Sequence, residues 1–201
     1  MAGQLSAAVP TLVLASTSRY RRALLQRLRV PFDVQAPEVD EAPRAGEAPD
    51  ALALRLAEAK ARAVGAQRPG DWVIGSDQVC ACGGRILGKP GDHAAAMAQL
   101  RWMRGREAVF HTALALLRDD GSVHLRNVPT TVRMRTLDDA LLDAYLRAEQ
   151  PYDCAGSAKS EGLGIALLET LRSDDPTALI GLPLIALCDL LLGAGYPLLR
   201  A

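Results

Sequence analysis

One apolar run that carries an acid constrains this chain more than any other feature. Asp71–Val79 reads Asp-Trp-Val-Ile-Gly-Ser-Asp-Gln-Val, a buried-type strand with polar residues at its end. An ionised Asp77 is costly in such a place unless it is paired or holds a metal. Ends of strands are also where α/β folds place their ligands. The alternative is an aspartate that merely caps the following turn.

The segments around this strand alternate in type. Thr11–Ala15 is a short apolar run, followed by the hydroxyl-rich turn Ser16-Thr17-Ser18 and a helical stretch that Ser18 is placed to cap. Phe32–Val39 reads as a second strand ending in Glu38, Asp40 and Glu41. A helix begins near Asp50, with Leu52, Leu56, Ala59 and Ala63 spaced as one apolar face. Arg85–Pro90 holds a turn and Gly91–Met103 a helix. Ala108–Leu117 and Val123–Met134 form strands joined through Asp119-Asp120-Gly121. Leu137–Arg147 is helical, Gly164–Leu171 strand-like, and Leu184–Leu192 a final apolar helix. Strands mixed with helices, without a repeat or a low-complexity linker, predict one α/β unit across the 201 residues.

Composition narrows the partners. Lysine plus arginine, 23, equals aspartate plus glutamate, 23, so no broad cationic surface is expected for nucleic acid or a membrane. No stretch reaches the roughly 18 apolar residues of a membrane span. The N-terminal MAGQLSAAVP lacks a basic leader region, so no signal peptide is expected. Cys80, Cys82, Cys154 and Cys188 read as reduced thiols of a cytoplasmic protein. His93, His111 and His124 lack the spacing of a zinc site.

Several polar groups can meet an anion. The Ser16–Arg22 turn puts hydroxyls, arginines and a helix start together, as in a phosphate site, though a capped helix with solvated arginines has the same sequence. Lys60 lies at the edge of an apolar helix face, and either reaches inward or is solvated. Lys89 sits in a stiff turn between Gly88 and Pro90. Asp40 and Glu38 offer further carboxylates, and two or three that converge would suit Mg²⁺ or Mn²⁺. Ala155–Gly164 either closes over a ligand or connects elements at the surface. Ile180-Gly181-Leu182-Pro183-Leu184 is read as structural, with Pro183 near the start of the last helix.

Taken in order, LASTSRYRRALL, EVDE, LAEAKA, IGSDQV, GKP, AGSAKSEG and GLPL resemble the Maf family of nucleotide pyrophosphatases, from about Leu12 to Pro197. The resemblance implies an elongated mixed sheet in two lobes with flanking helices, similar to the inosine-triphosphate pyrophosphatases. It implies one domain over residues 1–201 with a central cleft, and a homodimer. It further implies hydrolysis between the α- and β-phosphates with a divalent metal, Mg²⁺ or Mn²⁺. By position, Asp77 matches the catalytic proton acceptor, and Asp40 and Asp77 the metal-binding acids. Ser16, Arg21, Lys60 and Lys89 match residues around the triphosphate.

The branch is implied by Tyr20, Gln78 and Glu161, which resemble the base-selecting positions of members acting on 7-methyl-GTP. Members preferring dTTP or UTP differ at these motifs, and remain the alternative substrate class. The other alternative is a nucleotide-binding regulator of septum formation. A 7-methylated guanine is cationic, so stacking on Tyr20 would gain a cation–π contribution. Glu161 would accept hydrogen bonds from the guanine edge. Arg19 stands where the family commonly has proline, and Tyr20 where related members often have tryptophan.

Overall fold

The apolar runs meet in a single seven-stranded sheet in the computed structural model, which describes residues 9–199. The signal-peptide expectation rests on residues 1–8 and lies outside the described residues. The strands are β1 (Leu12–Ala15), β2 (Phe32–Gln35), β3 (Trp72–Cys82), β4 (Arg85–Leu87), β5 (Glu107–Leu117), β6 (Val123–Met134) and β7 (Leu168–Ser173). The helices are α1 (Arg19–Leu25), α2 (Pro49–Gly65), α3 (His93–Met103), α4 (Asp139–Glu149) and α5 (Leu184–Gly193). Strand order is β2-β1-β3-β5-β6-β7, with β4 on β3. β1 runs parallel to β2 and β3, whereas β3, β5, β6 and β7 are successively antiparallel. The α/β expectation therefore holds, as a mixed sheet flanked by helices. No described helix is long and apolar enough to cross a membrane.

Three boundaries differ from the sequence reading. β2 stops at Gln35 rather than Val39, so the acidic cluster belongs to a loop, and Pro37 cannot donate to a ladder there. The Arg85–Pro90 turn contains β4, because Gly83 and Gly84, with φ of 56° and 75°, make the reversal first. β3 runs on to Cys82, so Asp77 lies in its middle and not at its end.

That position still opens to a cleft. One edge of β3 pairs with β1 over Trp72–Gly75 and with β4 over Cys80–Cys82. Between them, residues 76 to 79 have no strand on that edge, while β5 follows the opposite edge without a break. The sheet has a four-residue notch at Asp77.

Alternation along β3 sends Val73, Gly75, Asp77 and Val79 to one face, and Ile74, Ser76, Gln78 and Cys80 to the other. The first face packs under α2 with Val13, Ala15, Ala113 and Ala115. On the second face, α1 and α5 cover Leu12, Leu14, Ile74, Leu114 and Leu116. Further along the same long strands, α3 and α4 cover Cys80, Cys82, Phe110 and Val132. The notch lies between these last two cores.

The buried stripe of α2 is Leu52, Ala53, Leu56, Ala57, Lys60, Ala61 and Val64. It is rotated from the expected face, and Lys60 occupies a core position rather than an edge. Three alanines let the helix backbone come down onto Gly75, where an added Cβ would lie 2.1 Å from the Ala57 carbonyl oxygen and 2.9 Å from the Ala61 nitrogen. Gly75→Ala should therefore cost about 1–3 kcal/mol through overpacking, at the upper end because the clash is with backbone. Urea unfolding of the two proteins measures the loss.

Candidate active site

The notch is the floor of a cleft of ≈660 Å³ that reaches from α2 to the turn after β1 and the loop after α4. Its chemical centre follows from the two periodicities already described. Strand alternation points Asp77 toward α2, and the helical stripe points Lys60 back at β3. The Lys60 Nζ lies 2.6 Å from Asp77 Oδ1 and 2.5 Å from Glu41 Oε1. Lys60 is 5% exposed and Asp77 7%. Two carboxylates sharing one ammonium make burial of that lysine tolerable.

Glu41 is the acid that sequence reasoning noted but did not choose. Asp40, expected beside Asp77, is exposed, does not line the cleft, and accepts a hydrogen bond from the Ala42 N–H at 3.0 Å. The acidic cluster signalled a carboxylate here, but loop geometry decided which one turns inward. Burial pushes the Glu41 carboxyl up, yet the Lys60 hydrogen bond and the charges of Lys60, Lys89 and Arg21 outweigh it, leaving it below its ordinary 4.5.

The other expected phosphate groups line the same cleft. Ser16 is buried, and its hydroxyl accepts from the Ser18 N–H at 3.1 Å. Ser18 caps α1 as expected, accepting from the Arg21 N–H at 3.3 Å. These two amides are thus already bonded within the turn. Arg21 donates Nε to the Gly181 carbonyl at 2.8 Å. Burial lowers its pKa while Asp77 and Glu41 pull it back up, and it remains a cation. Lys89 is exposed in the loop after β4 and forms no ion pair among the described residues.

The opposite face of β3 holds the remaining polar pair. Ser76 donates its hydroxyl to the Gly181 carbonyl at 3.0 Å. The Gln78 amide nitrogen lies 3.0 Å from Thr112 Oγ1, 3.1 Å from the Ala178 oxygen and 2.9 Å from the Leu179 oxygen. Three acceptors around one nitrogen fix the amide orientation and occupy both its protons. The Gln78 carboxamide can then offer the cleft only its oxygen, an acceptor.

Tyr20 and Glu161 also line the cleft. Arg19 donates to the Tyr20 hydroxyl at 2.7 Å, and its guanidinium carbon lies 4.8 Å from the ring centroid. The Lys159 ammonium, itself paired with Glu149, is 6.0 Å from that centroid. The ring expected to receive a cation already has two beside it. Glu161 is exposed at the rim, where Asp153 adds a second acid. The Ala155–Gly164 loop is tied down rather than free. Gly156 packs on Cys80 and Phe110, Ser157 Oγ donates to Gln99 Oε1 at 2.7 Å, and the Lys159 N–H donates to Tyr145 OH at 3.1 Å.

Compared with known families, residues 11–194 match the family described as Maf-like protein. The 7-methyl-GTP pyrophosphatase of Burkholderia pseudomallei (strain 1710b) is 63% identical over 96% of this chain and 91% of its own. The 7-methyl-GTP pyrophosphatase of Paraburkholderia xenovorans (strain LB400) is likewise 63% identical, over 96% of each. Among solved structures, a nucleoside-triphosphatase/dITP/XTP pyrophosphatase from Mycobacterium abscessus covers 93% of this chain and 99% of its own. Its TM-score is 0.44 and its identity 20%, a distance at which neither fold nor activity carries over.

The depressed Glu41 carboxyl makes stability depend on pH. Its contribution is present above the ordinary carboxylate pKa and is lost as pH falls through the lower folded value. Lys60→Met removes the hydrogen-bonded cation, so the variant should show a shallower loss than the parent between about pH 5 and pH 3, the range in which carboxylates titrate. Urea unfolding midpoints across that interval provide the comparison, and parallel curves would exclude the coupling.

Proposed function

The chain belongs to the Maf family, and from that premise we propose that it hydrolyses the α–β phosphate bond of 7-methyl-GTP to 7-methyl-GMP and diphosphate. The observation that carries this reading is the shared ammonium of Lys60, which holds Asp77 and Glu41 together in a cleft also lined by Arg21 and Lys89. Acids for water activation and cations for phosphate stand side by side there, as anhydride hydrolysis requires.

In this reading, Asp77 orients the attacking water toward the α-phosphorus and accepts its proton. Arg21, Lys89 and Lys60 bind the triphosphate and offset the charge that develops on the leaving diphosphate. The Ser16 hydroxyl adds a donor at the same end. Asp77 and Glu41 supply the hard oxygen donors that suit Mg²⁺ or Mn²⁺, which commonly take one or two carboxylates and complete their shell with water and substrate phosphates. No group of three or more His, Cys, Asp or Glu gathers among the described residues, so water and substrate phosphates would complete such a shell. When bound, the cation supplies charge neutralisation and polarisation of phosphoryl oxygen.

The base end favours guanine. Glu161 and the carboxamide oxygen of Gln78 are both acceptors, and guanine presents its N1–H and 2-amino donors along one edge. Methylation at N7 adds positive charge, which the rim acids Asp153 and Glu161 favour. Arg19 works against it by occupying the Tyr20 ring.

Two expectations follow. Asp77→Asn should lower kcat about 10²- to 10⁴-fold, the usual worth of a positioned base, with an unchanged circular dichroism spectrum. Pyrophosphate release from 7-methyl-GTP measures it, and near-normal turnover would remove Asp77 from the chemistry. Arg19→Ala should raise the preference for 7-methyl-GTP over GTP by roughly two- to five-fold, because it frees the ring of a competing cation. The ratio of kcat/KM values decides that point.

A further inference from the structure

The Ile180–Leu184 motif looks structural in sequence, yet its neighbours hold the cleft residues of the second face of β3. The Ala178, Leu179 and Gly181 carbonyls receive Gln78, Arg21, Ser76 and Thr112. This loop in turn hangs on one buried carboxylate. Asp175 is 2% exposed. Its Oδ1 accepts from the Thr177 N–H at 2.9 Å and the Thr177 hydroxyl at 2.7 Å. Its Oδ2 accepts from Ile185 N–H at 2.7 Å and Ala186 N–H at 3.4 Å, in the first turn of α5. Thr177 Oγ1 also accepts from the Leu184 N–H at 2.8 Å and lies 2.8 Å from the Leu182 oxygen.

The carboxylate therefore ties the start of the loop to the helix that follows it, closing residues 175 to 185 into a ring. The carbonyls inside that ring have their direction set by its closure. Ala178 is the most heavily used: its oxygen meets Gln78, Thr112 and the Gly181 N–H. If the ring opens, Gln78 loses two of the three acceptors that hold its nitrogen. Its amide is then free to turn over, and the cleft would meet a donor where an acceptor stood.

We infer that Asp175 is a positioning residue for base selection, acting through the 178–181 carbonyls on Gln78 without touching the nucleotide. The inference rests on the reading of Gln78 and 7-methyl-GTP given above. It separates the charge on Asp175 from a simple cap of α5, because a cap alone would alter stability and leave selectivity as it was.

The test is a double-mutant cycle on selectivity, taken as kcat/KM for 7-methyl-GTP over that for UTP. Asp175→Ala and Gln78→Leu should each lower the ratio roughly tenfold, the worth of one lost hydrogen bond of about 1.4 kcal/mol. The double variant should fall no further than either single one, since both act through the same amide. For Asp175→Ala the loss should appear in KM for 7-methyl-GTP, with kcat largely kept. Thr177→Val, which removes the hydroxyl links but leaves the carboxylate, serves if Asp175→Ala does not fold, and should lower the ratio in the same sense. An unchanged ratio in a folded variant, or a double variant whose loss is the product of the two single losses, would overturn the inference. A parent enzyme that does not prefer 7-methyl-GTP over UTP would overturn the proposed function, and this inference with it, before any variant is made.

Discussion

A lysine in the apolar stripe of a helix is expensive to bury, and most of this site depends on how that expense is met. Lys60 lies where a leucine would suit the packing of α2 on the sheet. It is tolerated because Asp77 reaches it from β3 and Glu41 from the loop after β2. Asp77 is buried with the ammonium, while Glu41 reaches it from an exposed loop, so the buried cation has an opposite charge on each side. The arrangement also needs the helix to lie unusually close to the sheet, which Gly75 and the alanines at 53, 57 and 61 permit. The Lys60–Asp77 ion pair and the packing of α2 on the sheet are here the same contact.

The sheet solves a second problem, which is how to open the middle of a strand to a cleft. β1 stops after four residues and β4 pairs with β3 only from Cys80 onward, so β3 is unpaired on one edge over residues 76 to 79. β5 pairs with the strand without a break from the other side. A strand supported on one edge and open on the other is rigid and accessible at once. The ligand position thus follows the rule for the carboxyl ends of parallel strands, but the relevant end is that of β1 and not of β3.

Much of this was legible in the sequence, and the failures have physical causes. Element types follow from periodicity, Ser18 stands out as a cap between a turn and a helix, and Asp77 and Lys60 stand out as charges beside apolar positions. What periodicity could not supply was the turn of a loop by one residue, which places Glu41 and not Asp40 beside Lys60. It also misplaced the stripe of α2, because alanine is compatible with either a buried or a half-exposed position. β4 was missed because three residues carry too little pattern to separate a strand from a turn. Asp175 was invisible for another reason: three of its four partners are backbone amides, which have no signature in the sequence.

Residues 76, 77 and 78 follow one another along a single strand, yet their side chains serve opposite sides of the sheet. Asp77 answers to α2, while Ser76 and Gln78 answer to the loop before α5. The two sides meet through the β3 backbone and through Arg21, which the Gly181 carbonyl holds while Asp77 and Glu41 act on its charge. A substitution in the loop before α5 is therefore felt on both faces of the sheet, directly at Ser76 and Gln78 and through Arg21 at the cluster under α2.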